Sequence, residues 1–551
     1  MNAAIDTVAV APEPSRLLEG LRDTGYNFST AIADIVDNSI AANATQVRIE
    51  AYEVMNGIRV SIADDGCGMS KTELINAMKY GAAARDNIHS LGKFGLGLKT
   101  ASTACCRRLK VISRPYMYGE LNCAVWDLDY IAQEQDWLLR IETPTEDDCE
   151  ELEACAEGGS GTLVVWENCD RLLPSRYTNP GSKAAHAAFQ RSLISLRQHI
   201  AMVYQRFLDV NDDRAQNVTI ILNGDPVEPW DPFCTEIDRH VGAKDFRIST
   251  TENGVETVHG VVKVKAYIVP AKQELDGVEA QARVMPSVKN PDLKEYSEES
   301  LSGFYIYREN RLIHWGEWFG IPGVDFHHKL CRYELSFDAE LDELFQIDIK
   351  KSRIILNDDL KQKLIEFAAP YKNEGNNRFR QNEKTTVKVQ AKGLHAKANA
   401  MLSAKGPNLT TAQFTENEQG TVTVTNKYGV MEAPYDAIEP TDNEMPIRTV
   451  DSIVDGLLWK PALIGANPGV LLNANHEFYQ RFYIANKDNQ NAITAMDSVF
   501  WAFGVSESEV IDTKAAENLE DQRYQVSAKL RKLARELPQV SSDELVDTTN
   551  N

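Results

Sequence analysis

The sequence lacks any run of about eighteen apolar residues, the length that a membrane-spanning helix needs. Its N-terminus has no basic segment followed by an apolar stretch, so we expect no secretory signal. The nine cysteines form neither two CxxC pairs nor a CxxC with a spaced histidine pair, which argues against a structural zinc site. These absences favour a cytoplasmic protein with reduced thiols and no membrane partner.

Positive charge is also scarce, since 58 Lys and Arg stand against 81 Asp and Glu for a net charge of −23. A uniformly basic nucleic-acid-binding surface is therefore excluded, because contact with phosphates requires positive charge. The charge is uneven: residues 142–157 hold eight acidic side chains and no Lys or Arg, whereas residues 372–405 hold eight basic side chains and two Glu. The basic stretch is the local candidate for phosphate contact, and a solvated linker is the alternative.

The length of 551 residues exceeds what one hydrophobic core supports, so about three domains are expected. Helical spacing over 16–43 and a strand pair around Asn56-Gly57 predict an α/β sandwich, with helices on one face of a sheet. The acidic stretch 142–161 is interpreted as a solvated loop, and a strand at 218–222 is expected to open a second α/β unit. The predicted domains are 1–180, 181–372, a loosely ordered basic and polar linker over 373–440, and a mainly helical domain over 441–551.

A first short segment, Asp34-Ile-Val-Asp-Asn38, lies in the predicted N-terminal helix. Asp34 and Asn38 are four residues apart, so a helix places them on one face, one turn from each other. A carboxylate there is suited to take a proton from an attacking water, and an amide oxygen is a ligand for Mg²⁺. Taken alone, the pair also fits a solvated helix face.

A second segment, Asp64-Asp-Gly66-Cys-Gly68-Met69, follows a predicted strand. Gly66 and Gly68 allow tight turns close to a flat ligand, and a carboxylate accepts a hydrogen bond from an exocyclic amine. Met69 offers a polarisable sulfur for packing on a ring. Because Asp-Gly is a common turn pair, a simple β-turn is the alternative.

A third segment, Leu91–Lys99, places glycines just before a predicted helix. Glycines expose backbone N–H groups, and a helix N-terminus favours anions, so the segment suits phosphates. Lys93 and Lys99 add positive charge. The spacing is neither that of a Walker loop nor that of a Rossmann fingerprint, and a structural loop is the alternative. The three segments together, in this order, predict an ATP-binding site.

The run Gly25–Ser39 resembles the first motif of the GHKL ATPases, a superfamily that includes gyrase B, heat-shock chaperones, histidine kinases and MutL. Gly161-Thr162 resembles the last nucleotide-binding element of that superfamily. The resemblance implies a Bergerat-type ATP-binding α/β sandwich. In it Asp34 would be the general base, Asn38 the Mg²⁺ ligand and Asp64 the adenine-reading carboxylate, with Thr162 beside the adenine. The implied lid around the phosphates is Gly92, Lys93, Phe94, Gly95, Leu96, Gly97, Leu98 and Lys99.

One residue departs from the common pattern. Most hydrolysing members carry Glu where this chain has Asp34. Aspartate is one methylene shorter, so its oxygen lies about 1.5 Å further back. Because a misplacement near 1 Å costs about a hundredfold in rate, we expect slow turnover.

The second predicted unit resembles the transducer domain of gyrase, MutL and the Microrchidia (MORC) proteins. Asn223-Gly224 with Asp231-Pro232-Phe233, and the run Gly303–Ile313, resemble the prokaryotic MORC-like branch in particular. In that group a lysine at the end of the transducer reaches back to the γ-phosphate, which implies Lys351, with Lys350 as the neighbouring alternative. A lysine at a strand end is otherwise a solvated charge.

The sequence lacks the features that are typical of the other branches of the superfamily. Residues 1–33 contain no His, as a phosphoacceptor helix of a histidine kinase would require. We find no gyrase-type run of metal-binding carboxylates and no MutL-type endonuclease motif. The long middle domain of the chaperones is also missing. His476 lies beside aromatic residues, which predicts a packed, hydrogen-bonded side chain rather than a metal ligand.

The resemblance therefore implies a Mg²⁺-dependent ATPase whose protomers form a homodimer through the ATPase domain when ATP binds. Duplex DNA is the expected client of this clamp, in restriction, phage defence or repair, and other proteins of such systems are the expected partners. Two alternatives are open. One is a chaperone-like ATPase that acts on protein clients, and the other is a nucleotide-gated interaction module with little hydrolysis.

Overall fold

The computed structural model describes the chain from residue 12 to residue 534, with gaps. The described ranges are 12–23, 25–55, 57–81, 97–173, 181–237, 241–252, 255–321, 328–342, 345, 356–391, 393–416, 422–433, 437–438, 446–465 and 467–534. The predicted site residues Gly92, Lys93, Phe94, Gly95 and Leu96, and both Lys350 and Lys351, lie outside these ranges. The chain divides into two compact units, Met1–Asn377 and Arg378–Asn551.

An eight-stranded sheet forms the centre of the first unit. Its strands are β1 (Gln46–Val54), β2 (Gly57–Asp64), β3 (Arg108–Arg114), β4 (Asn122–Asp127), β5 (Arg140–Glu142), β6 (Gly161–Glu167), β7 (Thr219–Leu222) and β8 (Asp225–Pro226). Their order is β5-β4-β3-β6-β2-β1-β7-β8. Neighbours are antiparallel except β1 and β7, which are parallel. The β1–β2 pairing confirms the predicted hairpin.

Eight helices accompany this sheet among the described residues. They are α1 (Pro14–Arg22), α2 (Phe28–Ala41), α3 (Lys71–Ala77), α4 (Gly97–Cys105), α5 (Leu128–Glu134), α6 (Glu146–Ala156), α7 (Lys183–Val203) and α8 (Gln205–Leu208). The prediction of one helix over 16–43 is wrong in its continuity, because Gly25 adopts φ 77° and Asn27 then caps a second helix. The predicted solvated loop at 142–161 is also wrong. It holds α6, whose N-terminus is capped by Thr145 and carries three acidic residues in its first turn, where the helix dipole favours them.

The side chains of the sheet alternate between two apolar clusters. The main core lies on one face and includes Ile32 and Val36 of α2 and Leu196 and Ile200 of α7. A smaller cluster on the other face includes Leu152 of α6. The predicted one-sided layering is therefore corrected, since α6 covers the second face.

The strand that was expected to open a second unit instead completes the first sheet. Residues of β7 pair with β1, with Ile220 opposite Val47. The main core continues along the chain to Val227 and so extends past the predicted boundary at residue 180. A strand that pairs with the edge of an existing sheet buries its apolar side chains in the core of that sheet, so it does not require a new core.

A second, five-stranded sheet follows in the same unit, with the order β12-β11-β13-β10-β9. Its strands are β9 (Gly242–Glu252), β10 (Val255–Ile268), β11 (Gly303–Arg308), β12 (Arg311–Glu317) and β13 (Cys331–Phe337). Helix α9 (Val278–Val284) precedes β11, and α10 (Asp358–Ala391) follows β13. Leu360, Leu364 and Phe367 of α10 pack into the core on one face of this sheet.

The second unit combines helices with two small sheets. Its helices are α11 (Ala396–Lys405), α12 (Gln490–Ser508) and α13 (Thr513–Ala534), with a π-helix at Tyr479–Ile484. Its strands are β14 (Gln413–Glu416), β15 (Val422–Asn426), β16 (Gly429–Ala433), β17 (Ala437–Ile438), β18 (Ile447–Val450), β19 (Trp459–Ile464) and β20 (Asn467–Asn473). The region 373–440 is therefore not loosely ordered where it is described, because part of α10, α11 and four strands fall within it.

Candidate functional site

Helix α2 carries several of the polar groups predicted for the site. Asn27 caps its N-terminus, since the Asn27 side chain accepts from the Thr30 backbone N–H at 2.9 Å and the Thr30 hydroxyl receives the Asn27 N–H at 3.1 Å. One flank of the helix enters the main core. The opposite flank buries Asp34, Asp37 and polar neighbours, and buried carboxylates must be supplied with donors.

The carboxylate of Asp34 is enclosed on two sides. It is 5% exposed, and the Tyr26 hydroxyl donates a hydrogen bond to its Oδ2 atom at 2.5 Å. Helix α4 begins at Gly97, so close that a β-carbon on Gly97 would lie 3.3 Å from the same oxygen. Burial, followed by the negative charge of Asp34, raises the pKa of the Tyr26 hydroxyl far above its ordinary value, so Tyr26 remains a donor.

Asn38 follows Asp34 by one helical turn, as the spacing predicts. Its Nδ2 atom donates to the Asp34 backbone carbonyl at 2.9 Å, and the side chain is half-buried. Because this bond orients the amide nitrogen towards the helix, the amide oxygen points away from the backbone. An amide oxygen in this position has the chemistry of a Mg²⁺ ligand.

Asp64 ends strand β2 in a buried position, 6% exposed. Its Oδ2 atom accepts from the Ser39 hydroxyl at 2.7 Å, and its Oδ1 atom accepts from the Gly66 backbone N–H at 3.0 Å. Burial raises the pKa of Asp64 to about 6, although these donors oppose the shift. The carboxyl group is therefore ionised at neutral pH and suited to accept a hydrogen bond from an amine. Asp65, by contrast, accepts from Thr45 and Gln46 and so links the end of β2 to the start of β1.

The two glycines after Asp64 have no room for side chains. A β-carbon on Gly66 would lie 2.8 Å from the Ala42 side chain. Gly68 adopts φ 63°, and a β-carbon there would lie 1.9 Å from the Arg114 carbonyl oxygen. The close approach of these chain segments therefore requires glycine at both positions.

Strand pairing brings the predicted adenine residues together. Thr162 of β6 lies directly opposite Asp64 of β2. Ser113 of β3 joins them, since its hydroxyl lies 2.8 Å from the Thr162 hydroxyl and receives the Met69 backbone N–H at 2.8 Å. Asp64, Met69 and Thr162 thus converge at one end of the sheet, next to the Ser39 end of α2.

Of the predicted phosphate lid, only the helical end is described. Gly97 lies against Asp34, and Leu98 packs against the main core. Lys99 is 1% exposed, donates to the Ala77 carbonyl at 2.8 Å and has its pKa lowered to about 8 by burial. In this arrangement the Lys99 ammonium contacts the C-terminal end of α3.

Several polar contacts of the site were missed by the sequence predictions. Ser39 orients Asp64, and its position directly after Asn38 was the available signal. Tyr26 contacts Asp34 from eight residues upstream, across the Gly25 turn. Ser113 lies in a β-strand with no motif around it, so no local pattern indicates its role.

No group of three or more His, Cys, Asp and Glu side chains is arranged to hold a metal ion within the described ranges. His476 is buried, lies 3.1 Å from the Ser527 carbonyl through Nε2 and receives the Phe478 backbone N–H at Nδ1. Burial lowers its pKa to about 4. The prediction that His476 is a packed, hydrogen-bonded residue is confirmed. Among the described helices, none has the length and apolarity to cross a bilayer.

The arrangement of α2, the Asp64 turn and the Asp64–Thr162 strand pair defines a nucleotide-binding α/β domain. Residues 26–162 match the family described as "Histidine kinase-, DNA gyrase B-, and HSP90-like ATPase". The match begins at Tyr26 and ends at Thr162, both of which contact the candidate site. The chain therefore contains a GHKL ATPase domain.

Comparison with curated proteins finds MORC proteins and MutL. Protein MICRORCHIDIA 2 of Arabidopsis thaliana is 23% identical over 347 residues, which cover 51% of this chain and 50% of that protein. ATPase morc-1 of Caenorhabditis elegans is 31% identical over 85 residues, or 15% of this chain and 10% of that protein. The DNA mismatch repair protein MutL of Caulobacter vibrioides is 34% identical over 98 residues, which cover 16% of this chain and 15% of that protein. The chain thus spans between a tenth and a half of the length of these relatives.

Proposed function

We propose that this protein is a Mg²⁺-dependent ATPase that works as a nucleotide-gated clamp on DNA. The observation that carries the proposal is the role of α2. This one helix holds Asp34, Asn38 and Ser39, and Ser39 in turn orients Asp64 on the neighbouring strand. The groups suited to activate water, to bind a metal and to contact adenine are therefore linked through a single rigid element.

Asp34 is the proposed general base. Its Oδ2 atom accepts from Tyr26, so the orientation of the carboxylate is held while it receives the proton of the attacking water. Asn38 is the proposed protein ligand of Mg²⁺, which neutralises charge on the phosphates when it is bound. Mg²⁺ usually binds through few protein ligands together with substrate phosphates and water, so a single amide ligand would suit it.

Asp64 and Thr162 are the proposed adenine contacts. The ionised Asp64 carboxylate accepts from the exocyclic amine, and the glycines at 66 and 68 let the backbone approach the ring. Gly92–Lys99 is the proposed lid over the phosphates, and Lys351, with Lys350 as the neighbouring alternative, is the proposed lysine on the γ-phosphate.

Duplex DNA is the proposed client, and ATP-dependent dimerisation is the proposed action. The MORC and MutL relatives support this proposal, since MutL of Caulobacter vibrioides is a DNA mismatch repair protein. The basic stretch 372–405 is the proposed local contact with phosphates, because its eight Lys and Arg stand out in a chain of net charge −23.

ATP turnover of the full chain tests the base. Asp34→Asn should abolish turnover and leave ATP affinity within about threefold, since the carboxylate acts in the reaction and not in binding. Asp34→Glu keeps a carboxylate, but its extra methylene must displace Tyr26 or Gly97, so it should retain only part of the turnover. Asp129→Asn, at an exposed carboxylate in α5, is the control. Full turnover in Asp34→Asn would reject the assignment.

Adding duplex DNA at two salt concentrations tests the client. The clamp predicts stimulation of turnover that weakens as salt rises, because contacts with phosphates release counterions. Stimulation at neither concentration would refute a DNA clamp. Lys351→Ala should lower turnover with ATP affinity largely kept, whereas Lys350→Ala should not; the opposite result would assign the role to Lys350. A loss of affinity alone would assign the lysine to binding.

A further inference from the structure

The tip of the hairpin between β11 and β12 reaches the helix that carries Asp34. The Nε atom of Arg311, at the start of β12, donates to Asp37 Oδ1 at 2.8 Å, although 274 residues separate them in sequence. We infer that Arg311 is a positioning residue, which holds the Asp34 and Asn38 face of α2 in register with the second sheet. This inference rests on the ATPase reaction proposed above.

Burial makes the contact between Arg311 and Asp37 specific. Asp37 is 1% exposed and Arg311 is 6% exposed, so water does not substitute for either partner. Asp37 lies between Asp34 and Asn38 on α2, three residues after the first and directly before the second. A displacement of the Asp37 carboxylate therefore moves the same helical turn that presents the proposed base and metal ligand.

Tyr204 adds a second attachment at the same point. Its fully buried hydroxyl lies 2.5 Å from the Ala33 carbonyl and 2.8 Å from Asp37 Oδ1. The Arg311 guanidinium lies 5.9 Å from the centre of the Tyr204 ring. The C-terminal end of α7, the hairpin tip and α2 thus meet at one carboxylate.

A positive charge on Arg311 faces the negative charge of the Asp37 carboxylate. Burial alone would lower the pKa of Arg311, but Asp37, Tyr204 and Asp34 outweigh it and hold that pKa above its ordinary value. Burial, and then the Arg311 charge, lower the pKa of His199 to about 3, so His199 is neutral. Arg311 is therefore the cation that faces Asp37 in this cluster.

The hairpin that carries Arg311 is itself anchored. Glu309 and Asn310 form its two-residue turn with φ 47° and 67°, a turn that matches the twist of the strands. Asn310 accepts from Arg206 at 3.1 Å and donates to the Arg214 carbonyl at 2.6 Å. Arg308 makes two hydrogen bonds to Asp342, at 2.7 and 2.8 Å, in a buried ion pair. A fixed hairpin transmits its position to α2 rather than following it.

Three variants separate positioning from stability: Arg311→Met, Asp37→Asn and the double variant. Each single change leaves one buried charge without its partner, whereas the double variant leaves none. We expect the double variant to recover the thermal stability lost by Arg311→Met. We also expect its kcat to stay about tenfold to a hundredfold below that of the wild type, with the Kd for a non-hydrolysable ATP analogue within about threefold. Recovery of kcat together with stability would overturn the inference.

Amide hydrogen exchange gives a readout that does not depend on turnover. In Arg311→Met, amide exchange at residues 33–41 should be at least about tenfold faster than in the wild type, because α2 has lost its hydrogen bond from Arg311. Lys110→Met is the matched control, since it breaks a buried ion pair with Asp148 on the other face of the first sheet. Unchanged exchange at residues 33–41 would overturn the inference. Faster exchange with no ATP turnover in the wild type would support the contact of Arg311 with α2 and would refute the proposed function.

Discussion

Replacing Asp64 with asparagine should stabilise the free protein above pH 6 and weaken ATP binding. The carboxylate is 6% exposed, and burial raises its pKa from 3.8 to about 6. The folded protein therefore binds this proton more tightly than the unfolded chain does. As pH rises from about 4 to about 6, the unfolded state releases its proton first, and the free energy of unfolding of the wild type falls.

The shift sets the size of the effect. At about 1.4 kcal/mol per pKa unit, the ionised carboxylate costs about 3 kcal/mol at pH 8. Asparagine keeps two contacts, because its oxygen can accept from the Gly66 N–H while its amide nitrogen donates to the Ser39 hydroxyl. The variant should therefore be more stable than the wild type by up to about 3 kcal/mol at pH 8, and this advantage should disappear near pH 4.

Denaturant unfolding at several pH values, with and without ATP, measures both effects. ATP at a hundred times Kd should stabilise the wild type by about 2.7 kcal/mol. At the same concentration it should stabilise Asp64→Asn much less, because an acceptor for the adenine amine has become an amide donor. Asp65→Asn is the control, since the Asp65 carboxylate bonds to Thr45 and Gln46 at the start of β1. A variant without added stability at pH 8 would refute the electrostatic reasoning, and equal stabilisation by ATP would refute the adenine contact.

Gly68→Ala should lose about 2 kcal/mol or more of stability and also lose ATP binding, because its methyl group would lie 1.9 Å from the Arg114 carbonyl oxygen. Thermal unfolding measures the stability, and nucleotide titration measures the binding. Gly97→Ala should keep stability within about 1 kcal/mol but lower kcat, since its methyl group meets the Asp34 carboxylate at 3.3 Å; an unchanged kcat would contradict this. Tyr26→Phe should lower kcat about tenfold at unchanged Kd, as single-turnover kinetics would show, because Asp34 loses a charge-assisted hydrogen bond.

Matched residues in the chain serve as controls for these variants. Gly81 has φ 70° but no atom within 4 Å of its β-carbon position, so Gly81→Ala isolates the backbone strain from the clash at Gly68. Gly20 lies in α1 with nothing within 4 Å, which makes Gly20→Ala the control for Gly97→Ala. Tyr52 also donates to a carboxylate, that of Glu50, but on the exposed face of β1, so Tyr52→Phe is the control for Tyr26→Phe.

Local spacing was enough to predict the contacts that lie within one element. Asp34 and Asn38 form an i,i+4 pair, and the pair is recognisable in any amphipathic helix. The contact of Asp64 with Thr162 required more, because it depends on which strands become neighbours in the sheet. Ser113 and Arg311 contribute through tertiary neighbours with no local signal. Their roles follow from topology, which composition and periodicity do not encode.

Two errors in the fold prediction have different origins. The acidic run before Gly161 was expected to be a loop because of its charge, yet its acidic residues stabilise the start of α6 and its apolar residues, such as Leu152, cover the sheet. The strand at 218–222 was expected to open a second unit, whereas β7 pairs in parallel with β1. For β7 the deciding partner is distant in sequence, so a local pattern cannot select it. For α6 a local signal was present, since Thr145 caps the helix and acidic residues occupy its first turn.

The space around residue 34 fits an aspartate side chain. The expectation of slow turnover depends on side-chain length, since aspartate is one methylene shorter than the glutamate of related ATPases. In this protein, however, Tyr26 approaches the carboxylate at 2.5 Å and the backbone of Gly97 closes the other side. A longer side chain would have to displace one of these groups, at a cost of about 1–3 kcal/mol for overpacking. The surroundings of Asp34 thus fit the shorter residue, so side-chain length alone does not decide where the oxygen of this proposed base lies.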